Sequence, residues 1–245
     1  MFYIFEGKYD RKERKYNATL KGRYFLKKAL KVAPLISADL ALGYLSFAKK
    51  KYRSAASCYK KAYCISQDFP TAYNIALSYF RLQKYKQAMI WAQEAYNKGD
   101  DSEQIEALIL WLFSSKDFKP KNYEQRLKVL FDTTDPFLLE DKFILTYLTA
   151  DMEEAKKQIE PLLKQCWVTV PVIAMIFDCL LSQNNVIEAK SILDERLKQL
   201  EDCDYNVKWE IRSLKKAFSQ EAFRKKLIAS YQFIRPAIVQ RCYQE

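Results

Sequence analysis

The sequence predicts an all-α protein, an α-solenoid of stacked antiparallel helical hairpins. Three observations carry that expectation. First, Phe47, Phe80 and Phe113 lie 33 residues apart, and Leu42/Ile75/Leu108, Tyr44/Leu77/Leu110, Gly22/Ala55/Ala88 and Ala29/Ala62/Ala95 keep the same interval. Small and large apolar residues held in phase over such a period mark stacked repeats, each unable to bury its apolar flank alone. Second, the 245-residue chain has only four glycines and seven prolines, well below the ordinary usage of about 7% and 5%, which favours helices with short connections. Third, apolar residues within each period recur at three- and four-residue steps, the spacing of one helix face.

The elements follow in order. Ser37–Lys49 reads as a first helix, and Lys51-Tyr52-Arg53-Ser54-Ala55 opens a second that runs to Ser66. The next unit copies it: Thr71–Leu82, then Lys84-Tyr85-Lys86-Gln87-Ala88 opening a helix to Asn97. Gly99-Asp100-Asp101 closes that helix and caps Glu103–Ser114. Gly43 and Ala76 on first helices, with Ala55 and Ala88 on second helices, allow close backbone crossings. Tyr59 fills the neighbouring space in one unit, and Trp91, beside the small Ala92, is expected to do so in the next. Lys116–Lys121 breaks the phase before a helix over Asn122–Phe131. Tyr147–Ala155 and Ile173–Ala189 recover it, with Ala155 and Ala189 34 residues apart. Val168–Leu181 reads as a buried helix, and Tyr205–Phe218 and Gln220–Glu245 as terminal helices, the last kinked or ended by Pro236. The chain therefore divides into an atypical basic N-terminal repeat or cap (1–34), regular repeats (35–117), degenerate repeats (118–219) and a C-terminal capping helix (220–245). At the N-terminus, Phe5–Asp10 reads as the turn inside a repeat.

The formal net charge of +11 is one-sided: residues 1–61 hold sixteen Lys or Arg against four acids. Arg11, Lys12, Arg14, Lys15, Lys21, Arg23, Lys27, Lys28 and Lys31 are expected on or near one helix. Tyr16, Tyr24 and Phe25 interleave at positions where core contacts are expected. Such an end suits an acidic protein surface. Basic and aromatic residues together also suit RNA, but no recognition motif accompanies them, so nucleic acid ranks below protein. The alternative is a solvated helix face.

Catalytic classes fall away on composition. The chain has no histidine, which removes imidazole acid–base chemistry and His-ligated metals. Its glycines stand alone, without a phosphate-binding loop. None of Cys58, Cys64, Cys166, Cys179, Cys203 and Cys242 forms a C-x-x-C pair, and most fall on helix faces as small apolar residues. The paired acids Asp100-Asp101 and Glu153-Glu154 sit in a turn and at a helix start, where acids favour the helix dipole. No catalytic residue, metal or cofactor is expected, and the protein is not expected to be an enzyme. The leading Met-Phe-Tyr-Ile-Phe-Glu lacks the basic leader and length of a signal peptide, and no run spans a bilayer, so a cytoplasmic protein is expected.

Leu42-Gly43, Tyr52-x-x-Ala55, Tyr59 and Ala62, repeated as Ile75-Ala76, Tyr79, Tyr85-x-x-Ala88 and Ala95, resemble the tetratricopeptide repeat family. Lys28–Pro34 is similar to the end of a preceding unit. The resemblance covers roughly residues 20–114, with a period of 33 where the family usually has 34. It implies a right-handed α-solenoid of five to six hairpins with a concave groove lined by the first helices: Leu40, Tyr44 and Phe47, then Tyr73, Leu77, Phe80 and the flanking Arg81, then Glu106, Leu110 and Phe113. Eight of the nine stripe residues are apolar or aromatic, which suits an apolar extended or helical segment; the phenylalanines packing as ordinary core is the competing reading. A clamp for acidic chaperone tails needs polar residues along the stripe, and only Asn74 matches. The expected function is therefore a non-catalytic adaptor or chaperone-like assembly subunit that binds an apolar peptide or helix. The alternative is a scaffold subunit of a secretion, pilus or other multi-protein complex, with an RNA-binding repeat protein third.

Overall fold

The computed structural model describes residues 9–10, 15–16, 20–33, 36–133, 138–149, 151–164, 168–201 and 207–230. Thirteen α-helices account for almost all of them. From Ile36 to Ser115 each helix packs mainly on its sequence neighbours, as hairpin repeats require. The chain divides into two compact units, the first running to Leu130 and the second covering Phe131–Phe233.

In the first unit a two-residue antiparallel ladder, β1 (Tyr9–Asp10) with β2 (Lys15–Tyr16), precedes helix α1 (Leu20–Val32). Then come α2 (Ile36–Ala48), α3 (Tyr52–Ile65), α4 (Phe69–Arg81), α5 (Tyr85–Lys98), α6 (Asp101–Ser115) and α7 (Tyr123–Asp132). The expected helices from Ser37 to Ser114 are all present, with ends moved by one or two residues.

Two sequence-based expectations are corrected here. Tyr9 and Asp10, expected in a turn inside a repeat, form β1 instead, and Lys15 lies in β2, near the helix that carries Lys21 to Lys31 and not on it. Two-residue strands carry no periodicity that a sequence pattern could reveal. Tyr24 and Phe25, expected in core contacts, are 61% and 52% exposed and meet each other edge to face at 5.6 Å. Arg11, Lys12, Arg14 and Pro236 lie outside the described residues.

The turn between the helices of a hairpin is the most faithfully repeated device. Lys51 N–H donates to Ser46 O at 2.8 Å and Lys84 N–H to Tyr79 O at 2.9 Å, the long-range bond that ends a helix in a Schellman-type cap. The residue inside each turn adopts left-handed backbone, Lys50 and Gln83 both at φ 58°. In the second unit Asn185 N–H donates to Leu180 O at 2.9 Å around Asn184 at φ 59°. The degenerate half thus reuses the same turn on different residues.

Turns of the other kind are capped by acids. Asp68 accepts from Thr71 N–H at 3.0 Å to start α4, with Pro70 in its first turn. Asp100 accepts from Glu103 N–H at 3.0 Å while the Glu103 carboxylate accepts from Asp100 N–H at 3.2 Å, a reciprocal capping box.

The core between α2, α3 and α4 is a cluster of Ala55, Tyr59 and Ile75, against which Leu40, Phe47, Tyr63, Tyr79 and Trp91 pack. Gly43 lies directly on the Tyr59 ring: a Cβ there would stand 2.5 Å from Cε1 and 2.7 Å from Cδ1. Trp91 meets Tyr63 edge to face at 5.1 Å. Its bulk thus also reaches the preceding hairpin, while it packs on the cluster that holds Ile75 of its own.

The second unit comprises α8 (Leu139–Leu148), α9 (Met152–Leu163), α10 (Val170–Ser182), α11 (Val186–Glu201), α12 (Lys208–Ser219) and α13 (Glu221–Ser230). Helix α10 is its centre, buried from Val172 to Phe177 and again at Cys179 and Leu180, with α8, α9, α11, α12 and α13 around it. The single acid in this apolar helix, Asp178, accepts from Arg224 Nε at 2.8 Å and from the Tyr147 hydroxyl at 2.9 Å. Arg224 also donates to Ala217 O at 3.0 Å. One carboxylate thereby ties α8, α10 and α13, and burial together with that bond pushes the Tyr147 phenol above its ordinary value.

Candidate functional site

The expected groove residues come from α2, α4 and α6, the first helices of successive hairpins. Tyr73 and Leu77 on α4 and Leu110 and Phe113 on α6 are buried. Leu40, Tyr44 and Phe47 on α2 and Phe80 and Arg81 on α4 are half-buried, and Glu106 is exposed. Leu40 and Phe47 pack on the Ala55–Tyr59–Ile75 cluster. Phe47 meets Tyr52 edge to face at 5.1 Å, and its counterpart one period later repeats the contact, Phe80 on Tyr85 at 5.5 Å. Two of the periodic phenylalanines therefore brace the start of the partner helix. Tyr73 stacks on Phe69 at 5.3 Å. Loss of solvent holds the Arg81 guanidinium below its ordinary pKa.

Asn74, noted in the sequence only as the single match to an acidic-tail clamp, is the polar residue that the structure brings forward beside the stripe. It is 1% exposed, and neither Oδ1 nor Nδ2 has a hydrogen-bond partner. On α4 it lies seven residues before Arg81, two helical turns along nearly the same line, and beside the stripe of Tyr73, Leu77 and Phe80. Buried side-chain amides are nearly always satisfied, and each one left open costs about 1–3 kcal/mol. An isolated asparagine in a helix gives no signal of this, because the orphaned state depends on neighbours distant in sequence.

The basic candidates are dispersed. Lys21 and Arg23 belong to α1, while Lys27, Lys28 and Lys31 are exposed on its last turns. Among the described residues no group of three or more His, Cys, Asp or Glu could hold a metal ion. Cys58, Cys64 and Cys179 are free thiols, and burial pushes the Cys179 thiol up to about 11. No helix among the described residues is long and apolar enough to cross a membrane.

No family model matches the chain, and no curated protein does. Among solved structures it is similar to the apo form of the quorum sensor NprR from B. thuringiensis, with TM-score 0.59 and 18% identity. The match covers 83% of this chain and 66% of that one. At this identity the likeness concerns the fold: an all-α succession of packed helical hairpins.

Proposed function

We propose that the chain is a non-catalytic binding protein whose first unit holds an apolar peptide or helix along the face of α2, α4 and α6. The observation that carries this reading is the open amide of Asn74. A peptide backbone offers a carbonyl and an N–H in extended repeat, the pair that one side-chain amide can engage at once. Half-buried Leu40, Tyr44, Phe47 and Phe80 would receive apolar side chains, with Tyr73, Leu77, Leu110 and Phe113 as the floor. Arg81 and Glu106 would set polarity at the flanks. The fold of a quorum sensor is a parallel at the level of architecture, and it fits a protein that responds to a ligand.

The test is selection from a displayed library of random heptapeptides. Wild type should enrich apolar sequences, and the enriched peptides should bind Asn74→Ala at least tenfold more weakly. Asn74→Ala should unfold at the same or higher denaturant concentration, because it removes an unsatisfied buried amide. Failure of wild type to enrich any sequence, or equal binding by the variant, refutes the reading.

A further inference from the structure

Stacked antiparallel hairpins place all turns of one kind along one edge, and in the first unit that edge is basic. The turn from α2 to α3 carries Lys49, Lys50, Lys51 and Arg53, all exposed. The equivalent turn from α4 to α5 carries exposed Lys84 and Lys86, and the turn after α6 carries Lys116, Lys119 and Lys121. Arg53 and Lys86 share the 33-residue phase, as do Lys51 and Lys84, so stacking repeats these two cations at one register; after α6 the phase breaks, and Lys119 lies in the turn ahead of α7. Two acids lie among them, Asp117 paired with Lys116 at 2.7 Å and Glu124 near Lys119 at 4.0 Å. Lys49, Lys50, Lys51, Arg53, Lys84, Lys86 and Lys121 form no ion pair among the described residues. The opposite edge carries the caps Asp68 and Asp100 with Asp101. Lys31 and Lys98, exposed at the ends of α1 and α5, also lie on that side, so the opposite edge is mixed whereas the first is predominantly basic; solubility needs only a mixed surface.

These cations oppose the local needs of the helices they begin. Lys51 and Lys84 are the N-cap residues of α3 and α5, make no capping bond, and are followed by no acid in the first turn. A cation at a helix N-terminus is disfavoured by the dipole. The backbone does not demand lysine: Lys51 (φ −88°, ψ 61°) and Lys84 (φ −89°, ψ 64°) match Asp151 (φ −85°, ψ 75°), which caps α9 by accepting from Glu154 N–H at 3.1 Å. A local rule broken at the same register in two repeats points to a demand from outside the fold.

We infer that this turn edge binds the phosphodiester backbone of a nucleic-acid duplex, without reading its sequence. Lysine is depleted where protein partners bury surface against each other, and is well suited to hydrated phosphate contacts. Stacking on unpaired bases needs open rings, but Tyr52 and Tyr85 are half-buried against Phe47 and Phe80. Phosphate contacts carry no sequence information, so no recognition motif is required. This edge is separate from the N-terminal basic segment and from Asn74.

Fluorescence anisotropy with a labelled 24-base-pair DNA duplex of random sequence, in 50 mM and 200 mM NaCl, tests the assignment. Wild type should bind with a micromolar Kd at the lower salt and weaken steeply at the higher. Lys51→Asp combined with Lys84→Asp should weaken binding at least tenfold while raising Tm by about 2–4 °C per substitution, since each aspartate supplies the missing cap. Arg53→Gln with Lys86→Gln and Lys119→Gln should weaken binding without that rise. Lys190→Glu with Lys198→Glu, which changes net charge as much on exposed lysines of α11, should stay within twofold of wild type, as should Asn74→Ala. Four results overturn the assignment: absence of saturable binding at 50 mM NaCl, unchanged binding in the turn variants, an equal loss in the α11 variant, or tighter binding to phosphatidylserine vesicles or polyglutamate than to duplex.

Discussion

Gly43→Ala sets two opposing effects of known size against each other. Gly43 lies inside α2, where alanine is intrinsically better by about 1 kcal/mol. Against this, the added Cβ would stand 2.5, 2.7 and 2.9 Å from three Tyr59 ring atoms, closer than any real contact. Tyr59 is fully buried within the cluster it forms with Ala55 and Ile75, so its ring cannot swing into solvent, and α2 must instead move off α3. Overpacking of this kind costs about 1–3 kcal/mol. The shift also loosens Leu40 and Phe47, which pack on the same cluster. The expected net is a loss of about 1–2 kcal/mol, read as a lower urea midpoint with unchanged slope. In a Tyr59→Leu background the ring is gone, and Gly43→Ala should become neutral or stabilising by up to about 1 kcal/mol. The cycle then yields a coupling of about 2 kcal/mol between the two positions. Equal or greater stability of Gly43→Ala in the Tyr59 protein would show that the close crossing does not hold the hairpin.

Two further outcomes follow from the turns and the second unit. Arg224→Met should destabilise by about 3 kcal/mol, the lower end for a broken buried pair because Asp178 keeps its Tyr147 bond and some solvent; joining it to Asp178→Leu should recover part of the loss, and chemical denaturation of the four proteins checks both. Gln83→Gly should gain about 0.5 kcal/mol by relieving left-handed backbone at φ 58°, less the entropy glycine adds to the unfolded chain. Asn184→Gly should gain less, since asparagine already tolerates that conformation; thermal unfolding in which Asn184→Gly gains more would contradict the assignment of strain.

What the sequence determined by itself was the repeating unit and its local rules. Phase at 33 residues placed α2 to α6 to within two residues at each end, because three- and four-residue spacing and the cap at Asp100 act over short stretches of chain. It also marked Gly43 as a crossing point. Beyond Lys116 that legibility fades: the turn at Asn184 is the same device as at Gln83, yet its neighbours no longer repeat. The β1–β2 ladder left no trace, since two residues have no period. Only the tertiary structure decided depth. Tyr44 and Leu77 share one position of the repeat, but one is half-buried and the other closed off, because burial depends on which neighbouring hairpin stands against each. Trp91 reaches the preceding repeat as well as its own for the same reason. The open amide of Asn74 and the single basic edge are likewise products of stacking, which joins residues that local spacing leaves apart.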